Sequence, residues 1–245
     1  MRSLIAALRF LTRLPVPGPN TRAEDLPPSL AWFPLVGAGV GAAIATTFAG
    51  ACYWWAPALA AVVAIAVGLL LTGGFHEDAV SDSADGLGGG HTTERVVEIM
   101  KDSRIGAYGA LALWVLLALR WAVLVSFSDP WLAVPAFACA AAWGRWTAAP
   151  LIRLPPIGST GLSKDISGRI GWWPLIVATL FVLALTAGAW WCGVERAPWA
   201  ALAAIIATGV WALYLRRRLG GQSGDLLGAG NQLAEAAALL VLVAR

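Results

Sequence analysis

The chain has 245 residues, 59% of them hydrophobic and 13% charged, with a mean hydropathy of +0.72 and a formal net charge of +3. That apolarity excludes an ordinary water-soluble domain of this length and makes lipid the natural solvent. Cys52, Cys139 and Cys192 lie in or beside apolar runs without the spacing of a zinc site or disulfide scaffold, so they read as packing residues. Fourteen tryptophans suit the water–lipid boundary, where an indole keeps its N–H wet.

The chain opens on MRSLIAALRFLTRLPVPGP, whose apolar stretch is broken by Arg9 and Arg13. It lacks the clean core of a secretory signal and predicts an amphipathic helix lying on the membrane surface. Apolar runs of the ~20 residues needed to cross a bilayer then fall near 30–54, 57–75, 108–127, 131–150, 172–192 and 198–215, with a weaker one near 226–244. Proline and glycine clusters at 14–19 and 154–161 break helices between them. The expected fold is all-α, a polytopic transmembrane helical bundle of about six to seven spans forming a single integral domain over 1–245.

Positive charge marks the orientation. With the N-terminus in the cytoplasm, thirteen of the 17 Lys and Arg fall in cytoplasmic segments: Arg2, Arg9, Arg13, Arg22, Arg95, Lys101, Arg104, Arg153, Lys164, Arg169 and Arg216 to Arg218. Only Arg196 and Arg245 lie opposite, and Arg120 and Arg145 fall within spans. Both histidines and most acids share the cytoplasmic face, which predicts an inner-membrane protein with its chemistry on that side.

Four clusters carry that chemistry. Asp78, Asp82 and Asp85 follow the second run at i, i+4, i+7, which places three carboxylates on one helical stripe. Like charges so stacked need a neutralising partner, and a hard divalent cation, Mg²⁺ first, is the natural one; Mg²⁺ held by a few carboxylates implies a phosphorylated substrate. His76 precedes the stripe as a candidate base, Glu77 points off it, and His91 lies in a polar loop. Lys101, Ser103 and Arg104, near Gly106 and Gly109, offer donors to phosphate oxygens where the backbone can come close to a ligand. Arg145, and with less weight Arg120, are charges inside apolar runs, which are usually paired or functional. In the last segment Asp225, Asn231, Gln232 and Glu235 form a polar group, and a second carboxylate site facing the first would give Glu235 the partner it needs.

The chain resembles the cobalamin synthase (adenosylcobinamide-GDP ribazoletransferase) family nearly end to end. The likeness rests on Phe10–Pro17 (FLTRLPVP), Gly74–Asp78 (GFHED) with Asp82 and Asp85-Gly86, Ile99–Gly106 (IMKDSRIG), Gly144-Arg145, and Gly224–Ala229 (GDLLGA) followed by Glu235. It departs at Ala79, where the family often carries glycine, and in the 159–166 loop. The resemblance implies a Mg²⁺-dependent transferase joining α-ribazole, or its 5′-phosphate, to adenosylcobinamide-GDP, with release of GMP and formation of adenosylcobalamin or its 5′-phosphate. On that reading Asp78, Asp82 and Asp85 hold the metal. Lys101, Ser103, Arg104, Arg145, Asn231 and Glu235 contact substrate or phosphate, and His76 or Asp225 takes the hydroxyl proton. Substrates and bilayer are the expected partners, nucleic acid is not, and homo-oligomerisation is left open. A CDP-alcohol-type lipid phosphotransferase fits less well, because its signature requires Ala-Arg after Asp-Gly and this chain has Leu87-Gly-Gly-Gly. A cation transporter predicts ionisable groups near the bilayer midplane rather than at one interface.

Overall fold

The computed structural model describes residues 1–157 and 170–244. Within them lie ten helices of eight residues or more: α1 (Arg2–Leu11), α2 (Phe33–Ala51), α3 (Pro57–Thr72), α4 (Phe75–Gly89), α5 (Thr93–Met100), α6 (Ala107–Ser126), α7 (Ala133–Trp146), α8 (Trp173–Trp191), α9 (Ala197–Arg218) and α10 (Gly224–Leu242). The described residues contain no named strand, only an isolated bridge between Pro156 and Gln222. The 159–166 loop, with Lys164 and Arg169 nearby, and Arg245 lie outside the described residues.

Each of the seven apolar runs folds as a helix, but four are long and apolar enough to cross a membrane alone: the run ending in α2, then α6, α8 and α9. A fifth joins them if α3 and α4, bent by 90° at their junction, count as one broken span. The expected polytopic helical bundle stands. Helix α7 is continued past Thr147 by a helical turn at Ala148–Leu151 and is mostly buried among other helices. Helix α10 carries Asp225, Asn231, Gln232 and Glu235, and exposes Leu233 and Leu240. Lipid-suited surface comes also from α6, α8 and α9, whose Leu111, Trp114, Ile176, Leu180, Ile206 and Val210 are exposed.

Helix α2 meets α7 along Gly37 and Gly41, one turn apart. A Cβ at Gly41 would stand 2.2 Å from the Phe137 carbonyl oxygen and one at Gly37 2.6 Å from that of Ala141, so only glycine permits the approach. The chain reverses at alternate ends of the bundle. At one end the Trp131 indole donates to the Tyr53 hydroxyl at 3.2 Å, amid exposed Trp54, Trp55, Trp190 and Trp191. Cys192 is exposed there, unlike buried Cys139, which corrects its reading as a packing residue. At the other end the Arg13 amide donates to the Leu71 carbonyl, and Arg218 donates to the carbonyls of Gly90 and His91. The end of α1, the α3–α4 bend, the loops around α5 and the start of α10 therefore share one end.

Helix α1 is amphipathic as expected, but protein rather than lipid covers its apolar stripe. Ala7 and Leu11 pack with Leu30, Phe33 and Val36, and the Phe10 ring stacks on Phe33 at 5.6 Å and meets Phe75 edge-on at 5.3 Å. Arg9 anchors the following turn by donating to the carbonyls of Val16, Gly18 and Pro19.

Candidate active site

The acidic stripe owes its position to two glycines. Gly73 and Gly74 both adopt left-handed conformations, with φ of 70° and 67°, a pairing that side chains with a Cβ resist. They end α3 and start α4 at a right angle, so the chain breaks direction there instead of continuing as one straight helix. Along α4, Asp78 is exposed while Asp82 and Asp85 are half-buried, and the stripe extends about 10 Å from Asp78 to Asp85 at 1.5 Å per residue.

Helix α10 delivers a fourth carboxylate. Its Gly228 packs against Ala79, where a Cβ on Gly228 would lie 2.5 Å from the alanine methyl. The alanine that departs from the family pattern is thus accommodated by a glycine on the facing helix. The close approach sets Asp225, in the first turn of α10, beside Asp78 and Asp82. Burial, and then the negative charges of Asp78, Asp225 and Asp85, push the Asp82 carboxyl up from 3.8 to about 6. Crowded carboxylates that raise one another in this way mark a place suited to a cation.

Asp85 has a partner already. Its two oxygens accept from the Gly106 amide at 2.7 Å and the Gly109 amide at 2.8 Å, so it caps the N-terminus of α6 from a neighbouring helix. A Cβ at Gly106 or Gly109 would stand 2.4 Å from this carboxylate. What the glycines bring close is therefore Asp85, where the sequence suggested a phosphate. Replacing Asp85 by asparagine exchanges one accepting oxygen for an amide that cannot accept. It is expected to cost about 1–2 kcal/mol through the loss of one cap, read as a lowered melting temperature in detergent.

Past Asp85 a surface groove of about 710 Å³, partly open to solvent, runs between α4, α5 and the start of α6, with Arg95, Glu98, Asp102, Arg104 and Tyr108 in its walls. Arg104 donates to Asp102 at 2.6 and 3.0 Å, and this pairing holds the Asp102 carboxyl down at about 2. Lys101 and Ser103 are exposed beside the groove without forming its walls.

Three of the sequence-predicted contacts lie deeper. Glu235 accepts from Arg145 and, at 3.1 Å, from Arg120; Arg120 also donates to Glu77 at 2.5 Å and to Gln232 at 2.5 Å. All five side chains are buried, and the four charges cancel. This overturns two expectations. The partner of Glu235 is a pair of guanidiniums and not a second carboxylate site, and Arg145 has its charge engaged by Glu235 where a phosphate would have to displace it. Glu77 and Arg120, given little weight from sequence, tie α4 to α6 and α10. The signal that finds them is charge balance, since four intramembrane charges of two signs demand mutual pairing.

At the other end of the stripe His76 and Asn231 are buried at 3% exposure each. His76 Nδ1 and Asn231 Oδ1 have no hydrogen-bond partner among the described residues.

Whether these residues suit Mg²⁺ depends on the donor set. All are hard oxygens, but among the described residues no three His, Cys, Asp or Glu side chains converge into a ready cage. Asp85 is bound to amides, which leaves Asp78, Asp82 and Asp225 as the available carboxylates. That matches a Mg²⁺ that keeps waters and takes its remaining ligands from a substrate's phosphates.

A cobalamin-5-phosphate synthase family model matches residues 3–243. Among curated relatives, an adenosylcobinamide-GDP ribazoletransferase of Bradyrhizobium diazoefficiens is 38% identical, covering 100% of this chain and 95% of its own. Those of Shewanella pealeana and Vibrio cholerae are 38% and 37% identical over 97% and 98% of this chain and 93% and 92% of their own. No solved structure matches.

Proposed function

Since the chain belongs to the cobalamin-5-phosphate synthase family, a family of cobalamin-synthesis enzymes, we propose that it transfers the phosphoryl-linked corrinoid of adenosylcobinamide-GDP to α-ribazole or its 5′-phosphate, releasing GMP. The observation that carries this reading is the gathering of Asp78, Asp82 and Asp225 at one end of a membrane bundle, next to a groove bearing Arg95 and Arg104.

The ribazole 3′-hydroxyl oxygen forms a bond to the phosphorus on the aminopropanol side of the diphosphate, and the bond from that phosphorus to the bridging oxygen breaks, so GMP departs with the electron pair. Such transfers depend on alignment and charge neutralisation more than on covalent help. Mg²⁺, held by Asp78 and Asp82, would supply the counter-charge for the diphosphate. Asp225 stands in the same cluster and accepts the hydroxyl proton. His76 is walled into an apolar recess and serves to position substrate. Arg104 and Arg95, at the groove, steady the outgoing phosphate once Arg104 exchanges Asp102 for it, and Lys101 adds positive charge at the rim. The positive-inside bias supports a cytoplasmic placement of this end in the inner membrane.

Purified protein in liposomes with adenosylcobinamide-GDP, α-ribazole and Mg²⁺ is expected to release GMP and form the cobalamin product, and to leave CDP-activated lipid precursors unchanged. Turnover of the lipid precursors alone would replace this reading with a lipid phosphotransferase.

A further inference from the structure

Four buried charges are an inefficient way to hold helices together. Taking a guanidinium and a carboxylate out of water offsets most of what their attraction returns, and apolar side chains of similar size would serve stability as well. What a hydrogen-bonded ion pair adds is direction. The two terminal nitrogens of Arg120 reach different helices: Nη1 donates to Glu77 of α4 at 2.5 Å, and Nη2 donates to Gln232 at 2.5 Å and Glu235 at 3.1 Å, both of α10. Because the guanidinium is planar and rigid, the spacing of its nitrogens fixes the spacing of α4 and α10 at this level. Arg145 bonds Glu235 alone among the described residues, so in this network the bridge between α4 and α10 is Arg120.

Those two helices carry the available carboxylates. Glu77 immediately precedes Asp78, and Gln232 lies about two turns after Asp225. The helices also touch where Gly228 packs on Ala79, and one close contact leaves two rods free to swivel about it. Gln232 and Asp225 stand on opposite sides of Gly228, about 6 and 4.5 Å along the axis at 1.5 Å per residue. A sideways shift of the helix at Gln232 therefore swings Asp225 the other way by roughly three-quarters as much. Mg²⁺ tolerates little such movement, because it requires near-octahedral oxygens at about 2.0–2.1 Å.

We propose that Arg120 is a positioning residue. Resting on the transferase reading above, its fork sets the distance between Asp225 and the Asp78–Asp82 pair, and with it the affinity of that cluster for a divalent cation. Arg120 touches neither metal nor substrate and acts through Glu77 on one side and Gln232 with Glu235 on the other.

The test titrates full-length protein in nanodiscs with Mn²⁺, a paramagnetic stand-in for Mg²⁺, in the absence of substrate, and reads free Mn²⁺ by electron paramagnetic resonance. Gln232→Leu removes one arm of the fork and leaves all four charges in place. It also removes Gln232 Nε2, a buried atom without a partner among the described residues, so the melting temperature should hold or rise. Mn²⁺ affinity should nevertheless fall about fivefold. Arg120→Lys keeps the charge but gathers its donors on one nitrogen, which cannot span both helices, and should weaken Mn²⁺ binding at least about tenfold. In turnover at saturating Mg²⁺, both variants should lower kcat while KM for either substrate stays within about twofold. Wild-type Mn²⁺ affinity in both variants overturns the proposal. So does affinity that falls only in step with the melting temperature, or wild type that binds no Mn²⁺. Gln232→Leu decides alone if Arg120→Lys does not insert. Expected losses of Mn²⁺ affinity in a protein that turns over no adenosylcobinamide-GDP would instead refute the transferase reading and leave the positioning role standing.

Discussion

Leucine in place of Glu235 will destabilise the protein by about 3–5 kcal/mol, the usual penalty for stranding a buried charge. The carboxylate holds Arg145 through one oxygen and Arg120 through the other. Without it Arg145 has no acidic partner among the described residues, and Arg120 keeps only Glu77 and Gln232. The midpoint of thermal aggregation in detergent should fall steeply, and the yield of inserted protein with it. Arg145→Met combined with Glu235→Leu should lose less than the two single changes summed, because the double variant leaves one unpaired charge fewer. Additive losses would show that the pair is held apart in the membrane. The network joins α4, α6, α7 and α10, so its failure also loosens the helix that carries the acidic stripe.

Alanine at Asp82 should reduce turnover by at least about 10²–10³-fold, the scale of removing one electrostatic element of a reacting site, with insertion unchanged. Asp82 is the centre of the stripe, and its carboxyl is pushed up to about 6 by burial and by Asp78, Asp225 and Asp85. The sign follows from that direction. A carboxyl whose folded value lies above the ordinary 3.8 is penalised when it ionises, so metal-free protein loses stability as pH rises from about 4 through about 6. Mg²⁺ at pH 7.5 should restore that stability in wild type and do little in Asp82→Ala. Catalysis runs the opposite way: at limiting Mg²⁺ the wild-type rate should fall as pH drops toward about 6, where protons compete with the metal for the carboxylate. Full activity in the alanine variant would remove Asp82 from the mechanism.

The bundle was legible because helix-length apolar runs separated by Pro and Gly admit few other structures. The stripe was legible because i, i+4, i+7 spacing is a property of the helix itself. Two things were not. Which helices face lipid was hidden, since hydropathy cannot distinguish α6, whose Leu111 and Trp114 are exposed, from α7, which other helices bury. The partners of Arg145 and Glu235 were hidden because pairing over 90 residues of chain is decided by packing, with Gly144 letting α7 come close to Asn231 and Glu235. The same holds for Asp85, whose bond to Gly106 and Gly109 depends on where α6 starts relative to α4. Local pattern placed the candidate residues on their elements, and only tertiary contact divided them into those left at the surface and those already bound to the protein.

The right-angle turn at Gly73 and Gly74 also sets which neighbours meet. Just past it, Glu77 turns inward to Arg120 while Asp78 stays exposed, so consecutive residues of one helix serve the buried ion pairs and the open cluster. A side chain at Gly73 would take a left-handed φ and meet Arg13 at 2.3 Å, so a single substitution there disturbs the seat of both.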